Sequence, residues 1–136
     1  MLFRSPTIRA GVALERQDAK RAIDLVKTAK TIELSGLTGD LAIFMSPVYV
    51  RGEAYLMLHD GDAAVAEFHK FIDHRGLVVN FPWGALARLG LARAYTLERD
   101  TAKARAAYQD FLTLWKDADP DVPILRQARA EYAKLK

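Results

Sequence analysis

A chain of 136 residues can bury one core without covalent staples, and 51% hydrophobic against 27% charged residues is too apolar for disorder. It contains no cysteine, which excludes disulfides, zinc–thiolate sites and thiol nucleophiles. The net charge of +3 is spread through the sequence with both signs in every third, not gathered into the basic stripe of a nucleic-acid binder.

The first 20 residues hold no sustained apolar run before their charges begin, so no signal peptide is read there. No uncharged apolar stretch is long enough to cross a bilayer. A cytoplasmic location is the default expectation. After a lead-in ending at Pro6, a helix is predicted from Thr7 to about Gln17 with Ile8, Val12 and Ala13 inward. Asp18 breaks it, and a second helix runs from Ala19 to about Glu33 on Ala22, Val26 and Ala29. Alanine contacts and Gly11 make this pair thin in apolar area, and the first expected to fray.

Ser35-Gly36-Leu37-Thr38-Gly39-Asp40 is a turn cluster. Leu41 to Pro47 reads as a packed loop or a helix start. Pro47 suits a first helical turn, and the helix it opens runs to about His59 through Val48, Gly52, Tyr55 and Leu58. Asp60-Gly61-Asp62 makes the turn to a partner helix, Ala63 to Asp73, with Ala64, Val65, Phe68, Phe71 and Ile72 on one face. Gly76 is a plausible C-terminal cap. Leu77-Val78-Val79 has strand-like composition but nothing to pair with, so a buried connector is expected.

Pro82 precedes a helix carrying Leu91, Ala92 and Tyr95, with Trp83 packing near its start. Glu98-Arg99-Asp100-Thr101 is a polar break, with Asp100 or Thr101 as N-cap. Ala104, Ala107, Tyr108, Phe111, Leu112 and Trp115 form the stripe of the next helix. The acidic run Asp117 to Asp121 is expected to cap a last helix, about Pro123 to Leu135. Ile124, Leu125, Ala128 and Tyr132 would face the body, with Arg126, Arg129 and Lys136 outward.

The hairpins repeat. Tyr55, Ala64, Phe68 and Phe71 align with Tyr95, Ala104, Tyr108 and Phe111 at a constant offset of 40. Ala13, Ala22, Val26 and Ala29 align with Tyr55, Ala64, Phe68 and Phe71 at 42. The pattern Gly52, Tyr55, Ala64, Phe68, Phe71 resembles the tetratricopeptide (TPR) repeat. The third pair follows it with Ala92 in place of the glycine. Arg51 and Arg88 stand where that family has an apolar residue, and no proline closes either hairpin. The surplus over the usual period of about 34 residues falls in the connectors 34–46 and 74–83.

A wider resemblance is carried by ALERQDAKRAIDL, SPVYVRGEAYL, DHRGLVVNFPWGALARLGLARAY and ARAAYQDFLTLWKDADPDVPIL. These are similar to the C-terminal TPR regions of acidobacterial-type serine/threonine protein kinases, and some winged-helix transcriptional regulators carry similar tails. The phosphate loop, catalytic loop and metal-binding triplet of a kinase are missing from the sequence. The resemblance implies the scaffold part only, and an extracytoplasmic location if the chain belongs to a membrane-anchored kinase. The implied fold is all-α: one domain, 1–136, as a right-handed superhelix. Its parts are three antiparallel hairpins (about 7–33, 47–73 and 84–116) and a capping helix (about 122–135).

No set of residues points to catalysis. His69 and His74 are five apart, a poor fit to one helical face, so solvated or capping roles are expected over metal binding. Asp60 and Asp62 lack the distant Glu of a calcium loop and read as helix caps. No cofactor, metal, nucleic acid or membrane is expected. The TPR resemblance implies a concave groove lined by the first helix of each pair. Carried over, it would present Tyr49, Glu53, Leu56 and Met57, then Leu89, Arg93, Thr96 and Leu97, with Thr7, Gly11, Leu14 and Glu15 from the first pair. The Leu and Met would form an apolar patch suited to a peptide or helix of a protein partner. Alternatively, the terminal helix or the connector 41–46 covers them. The expected function is a non-catalytic interaction scaffold, with self-association (a homo-oligomer) or a sensory, regulatory tail as the alternative.

Overall fold

Three short turns of one design organise the chain. Gln17, His59 and Arg99 adopt left-handed φ values of 62°, 56° and 60°, at offsets of 42 and 40. The amides of Asp18, Asp60 and Asp100 then reach back to the carbonyls of Ala13, Tyr55 and Tyr95 at 2.8, 2.9 and 3.0 Å. That six-residue closure satisfies carbonyls the ending helix would otherwise leave open. Each aspartate also starts the next helix, its carboxylate accepting from the amide of Arg21, Ala63 or Lys103 at 3.0–3.1 Å. One three-residue turn therefore stops one helix and nucleates the next, three times over.

The computed structural model describes residues 4–27, 45–74 and 82–135. Among these it is all-helical: α1 (Arg4–Glu15), α2 (Ala19–Val26), α3 (Ser46–Met57), α4 (Gly61–Asp73), α5 (Trp83–Leu97), α6 (Thr101–Leu114) and α7 (Pro123–Ala133). Each helix packs on the next along the chain, and α3 packs on α1 and α5 as well. None of the described helices is long and apolar enough to cross a membrane. The expectations for 28–44 and 75–81, including Ala29, the Ser35–Asp40 turn, the Gly76 cap and the Leu77–Val79 connector, lie outside the described residues.

The main core gathers Phe68, Phe71, Leu89, Leu91, Tyr108, Phe111 and Leu125 from α4 to α7. Phe68 is its hub, held between two glycines. A Cβ on Gly52 of α3 would lie 2.6 Å from the ring, and one on Gly90 of α5 2.5 Å. Both helices can close on the ring only because neither has a side chain there. Ala64 and Ala104 are fully buried, as the repeat register requires, while Ala106 is exposed. A smaller cluster joins α1 and α2 to α3 through Ala10, Ala13, Ala19, Ala22, Val26 and Ala54.

Several expectations are corrected here. Ile8 and Val12 are 66% and 41% exposed; α1 turns Ala13 inward as expected, but with Ala10 beside it, because small side chains let α2 approach closely. Asp117, Asp119 and Asp121 do not cap α7. Its N-cap is Val122, which makes no side-chain cap, and Pro123 supplies a first residue that needs no amide donor. Arg51, which departs from the apolar residue of the TPR pattern, takes a core position all the same: it is 0% exposed and pairs with Glu67 at 3.0 Å. Lys70 shares the same carboxylate oxygen at 2.9 Å. Burial alone would raise the Glu67 pKa; the hydrogen bond and charge of Arg51, joined by Lys70, outweigh it and hold it below the ordinary value.

Candidate binding groove

Along α5, Arg93, Thr96 and Leu97 fall within one turn and face the same side. Leu56 near the end of α3 meets them, since α3 and α5 are in contact. These four line a cavity of about 380 Å³, together with Tyr108 of α6 and Glu131, Lys134 and Leu135 from the region of α7. Its walls therefore come from four helices. Leu56, Leu97 and Leu135 make the apolar surface, while the charges on the wall are mostly already engaged.

The engaged charges form a row. Arg93 donates from Nε and Nη2 to the two oxygens of Glu131, each at 3.0 Å, a fork-to-fork pair. The Tyr108 hydroxyl donates to Glu131 Oε2 at 2.8 Å. Burial works against the Arg93 charge, but Glu131, with help from Glu53 and Tyr108, keeps its pKa above the ordinary arginine value. On the other side of Arg93 lies Glu53, hydrogen-bonded by Tyr49. Its Oε1 is buried and accepts no hydrogen bond from the described residues. Burial raises the Glu53 pKa above the usual carboxylate range, against the opposing pull of Arg93 and Tyr49. Both tyrosine hydroxyls are pushed well above their usual range, first by burial and then by Glu53 for Tyr49 and Glu131 for Tyr108.

Comparisons with family models, curated proteins and solved structures found no match.

Of the twelve residues assigned to the groove from the sequence, Leu56, Arg93, Thr96 and Leu97 converge on the cavity. Leu89 does not. It is 1% exposed and part of the main core, because α4 closes over that side of α5. Tyr49 is half-buried rather than a free contact: its ring meets Phe68 at 5.8 Å, Phe71 at 6.4 Å and Trp83 at 4.9 Å between centroids. Glu53 lies behind the cavity wall beside Tyr49 and Arg93. Met57 is exposed but does not line the cavity. From the first pair, Thr7, Gly11 and Leu14 are half-buried and Glu15 is exposed, none of them on this cavity.

The wall residues not found from sequence are Tyr108, Glu131, Lys134 and Leu135. A signal for Glu131 was present. Glu53, Arg93 and Glu131 alternate in sign at offsets of 40 and 38, the repeat spacing carried into the last helix. The two histidines weighed as a metal pair go to different partners: His69 Nε2 shares a hydrogen bond with the Tyr95 hydroxyl at 2.8 Å, and His74 Nδ1 donates to the Lys70 carbonyl at 3.0 Å.

Proposed function

We propose that the chain is a non-catalytic TPR-like scaffold whose cavity between α3, α5, α6 and α7 holds the apolar anchor side chains of a partner's peptide or helix. One observation carries this reading. Residues nominated from two different hairpins, Leu56 on one and Arg93, Thr96 and Leu97 on the other, meet at a single cavity. At about 380 Å³ it sits at the small end of the roughly 300–1,000 Å³ of ligand pockets, a size for side chains rather than a large cofactor. Arg93, Tyr108 and Glu131 satisfy one another and the Thr96 hydroxyl donates to the Ala92 carbonyl, so an uncharged apolar anchor can enter beside them without breaking a pair. The TPR part of the reading is supported by the turn that recurs at 42 and 40 residues and by the packing of α3 on both α1 and α5.

The test is selection of peptides from a random display library on the full chain. Selected peptides should share one or two large aliphatic or aromatic anchors. Thr96→Trp, which fills the cavity from an exposed position, should weaken them at least about tenfold with an unchanged melting temperature. Peptides that bind Thr96→Trp as well as the parent chain would place recognition elsewhere.

A further inference from the structure

A second recess lies on α1 and α2, away from the groove. It has a volume of about 510 Å³ and is lined by Ile8, Arg9, Val12, Arg16, Arg21 and Leu25. Ile8 and Val12 of α1 and Arg16, the first residue past its end, follow at steps of four and form one stripe, the Arg16 amide still donating to the Val12 carbonyl at 3.1 Å; Thr7, Gly11 and Leu14 lie on a different side of the helix. The floor is aliphatic and open to solvent, with Ile8 and Val12 among the most exposed large hydrophobic side chains of the described residues. The rim is basic. Arg9, Arg16 and Arg21 are exposed, and none of the three guanidinium groups has an ion-pair partner among the described residues. The carboxylate on this wall, Asp18, is committed to capping α2 through the Arg21 amide at 3.0 Å.

We propose that this face docks an acidic amphipathic helix of a partner protein. Its aliphatic side chains fill the recess over Val12 and Leu25, and its flanking carboxylates meet Arg9, Arg16 and Arg21. Two aliphatic side chains this exposed beside three cations with no ion-pair partner among the described residues are complementary to that chemistry and to little else. A nucleic acid would satisfy the arginines but leave the aliphatic floor uncovered, and the recess offers no aromatic ring for a base to stack on. A membrane surface favours apolar and aromatic side chains projecting from a helix, whereas here they line a hollow. A second copy presenting the outer face of α7 would bring Arg126 and Arg129 against the arginines of the rim.

The experiment titrates the full chain into a panel of labelled synthetic helices of about 14 residues, by fluorescence anisotropy. Their leucines stand at helical spacings with Glu on both flanks; a matched panel carries Lys for Glu. Anionic phosphatidylserine vesicles and a single-stranded oligonucleotide are the other probes. Glu helices should bind, Lys helices should not, and added salt should weaken the binding. Arg9→Glu with Arg16→Glu should lower affinity about tenfold or more, and Val12→Ser by a similar factor, at unchanged melting temperature. Thr96→Trp should have no effect, which separates this surface from the groove. The proposal is overturned by any of four results: no Glu helix binds, the Lys panel binds equally, the arginine variant binds as the parent does, or vesicles or oligonucleotide bind more tightly than every Glu helix. Sedimentation showing a dimer dissolved by the same arginine variant would overturn it too, in favour of a second copy.

Discussion

Arg93 and Glu131 are 38 residues apart and joined by two parallel hydrogen bonds of 3.0 Å, tying the terminal helix to the middle of α5. The pair is about one-third exposed on each side, so its strength comes from geometry rather than deep burial. Arg93→Glu would set a third carboxylate between Glu53 and Glu131. It should destabilise the fold by about 1–3 kcal/mol, and a double-mutant cycle with Glu131→Gln should show coupling of about 1 kcal/mol in denaturant melts. Arg93 is therefore unsuitable for separating binding from stability, although its place on the cavity invites that use. Purely additive effects would mean the fork is not formed in solution.

Removing α7 is the larger perturbation. Leu125 and Ala128 are fully buried, Tyr132 takes a hydrogen bond from Gln109 at 2.9 Å, and the Leu135 carbonyl accepts from Arg105 at 3.2 Å. Losing Leu125 alone forfeits about 1.5–3 kcal/mol of burial, out of a stability of about 5–15 kcal/mol. A chain stopped at Ala118 should melt far lower or aggregate. Trp115, which packs on Phe111 at 5.2 Å, reports the change through a red-shifted emission.

Ala64→Leu and Ala104→Leu should each cost about 1–3 kcal/mol by overpacking, because both positions are 0% exposed where helices meet. Ala106→Leu, on the exposed side of α6, should change the melt by less than about 0.5 kcal/mol. Equal effects at all three would contradict the repeat register.

Glu53 and Glu67 should show opposite pH behaviour. The Glu53 pKa is raised in the fold, so its favourable contribution is present below the ordinary glutamate value and is lost as pH rises through the folded one. Glu53→Gln should then raise the melting temperature at neutral pH, with the gain shrinking towards about pH 4. The Glu67 pKa is lowered, so its contribution is present above the ordinary value and is lost as pH falls through the folded one. Glu67→Gln should lower the melting temperature at neutral pH and matter least in acid. Differential scanning at a series of pH values checks both signs.

What was legible in the sequence depended on range. Asp60 and Asp100 act over three residues of backbone, so the breaks and the helices on either side could be placed within a few residues. The steps from Ala104 to Phe111 define one face of one helix, and that face is buried. Which neighbour covers a face is a tertiary matter. Leu89 and Arg93 are one turn apart on α5, yet the first is under α4 and the second opens on the cavity. Tyr49 looked free because nothing local showed that Trp83 would cross it. Glu131 was missed because its partner lies on another helix and the apolar stripe of α7 says nothing about its polar edge.

The two core clusters share α3: Val48 faces the larger, and Ala54 the smaller. Since the principal contacts of every helix are with those one or two places along, loop closure imposes little delay, and assembly should be fast for a chain of this size. The same arrangement makes the molecule directional under load. Pulled from its two ends, it should release α1 and α2 first, because their cluster is built largely of alanines. The main core should follow in a second, higher-force event. In an optical-trap trace the division appears as two rips of unequal height, and a single rip would mean that α3 couples the clusters into one mechanical unit.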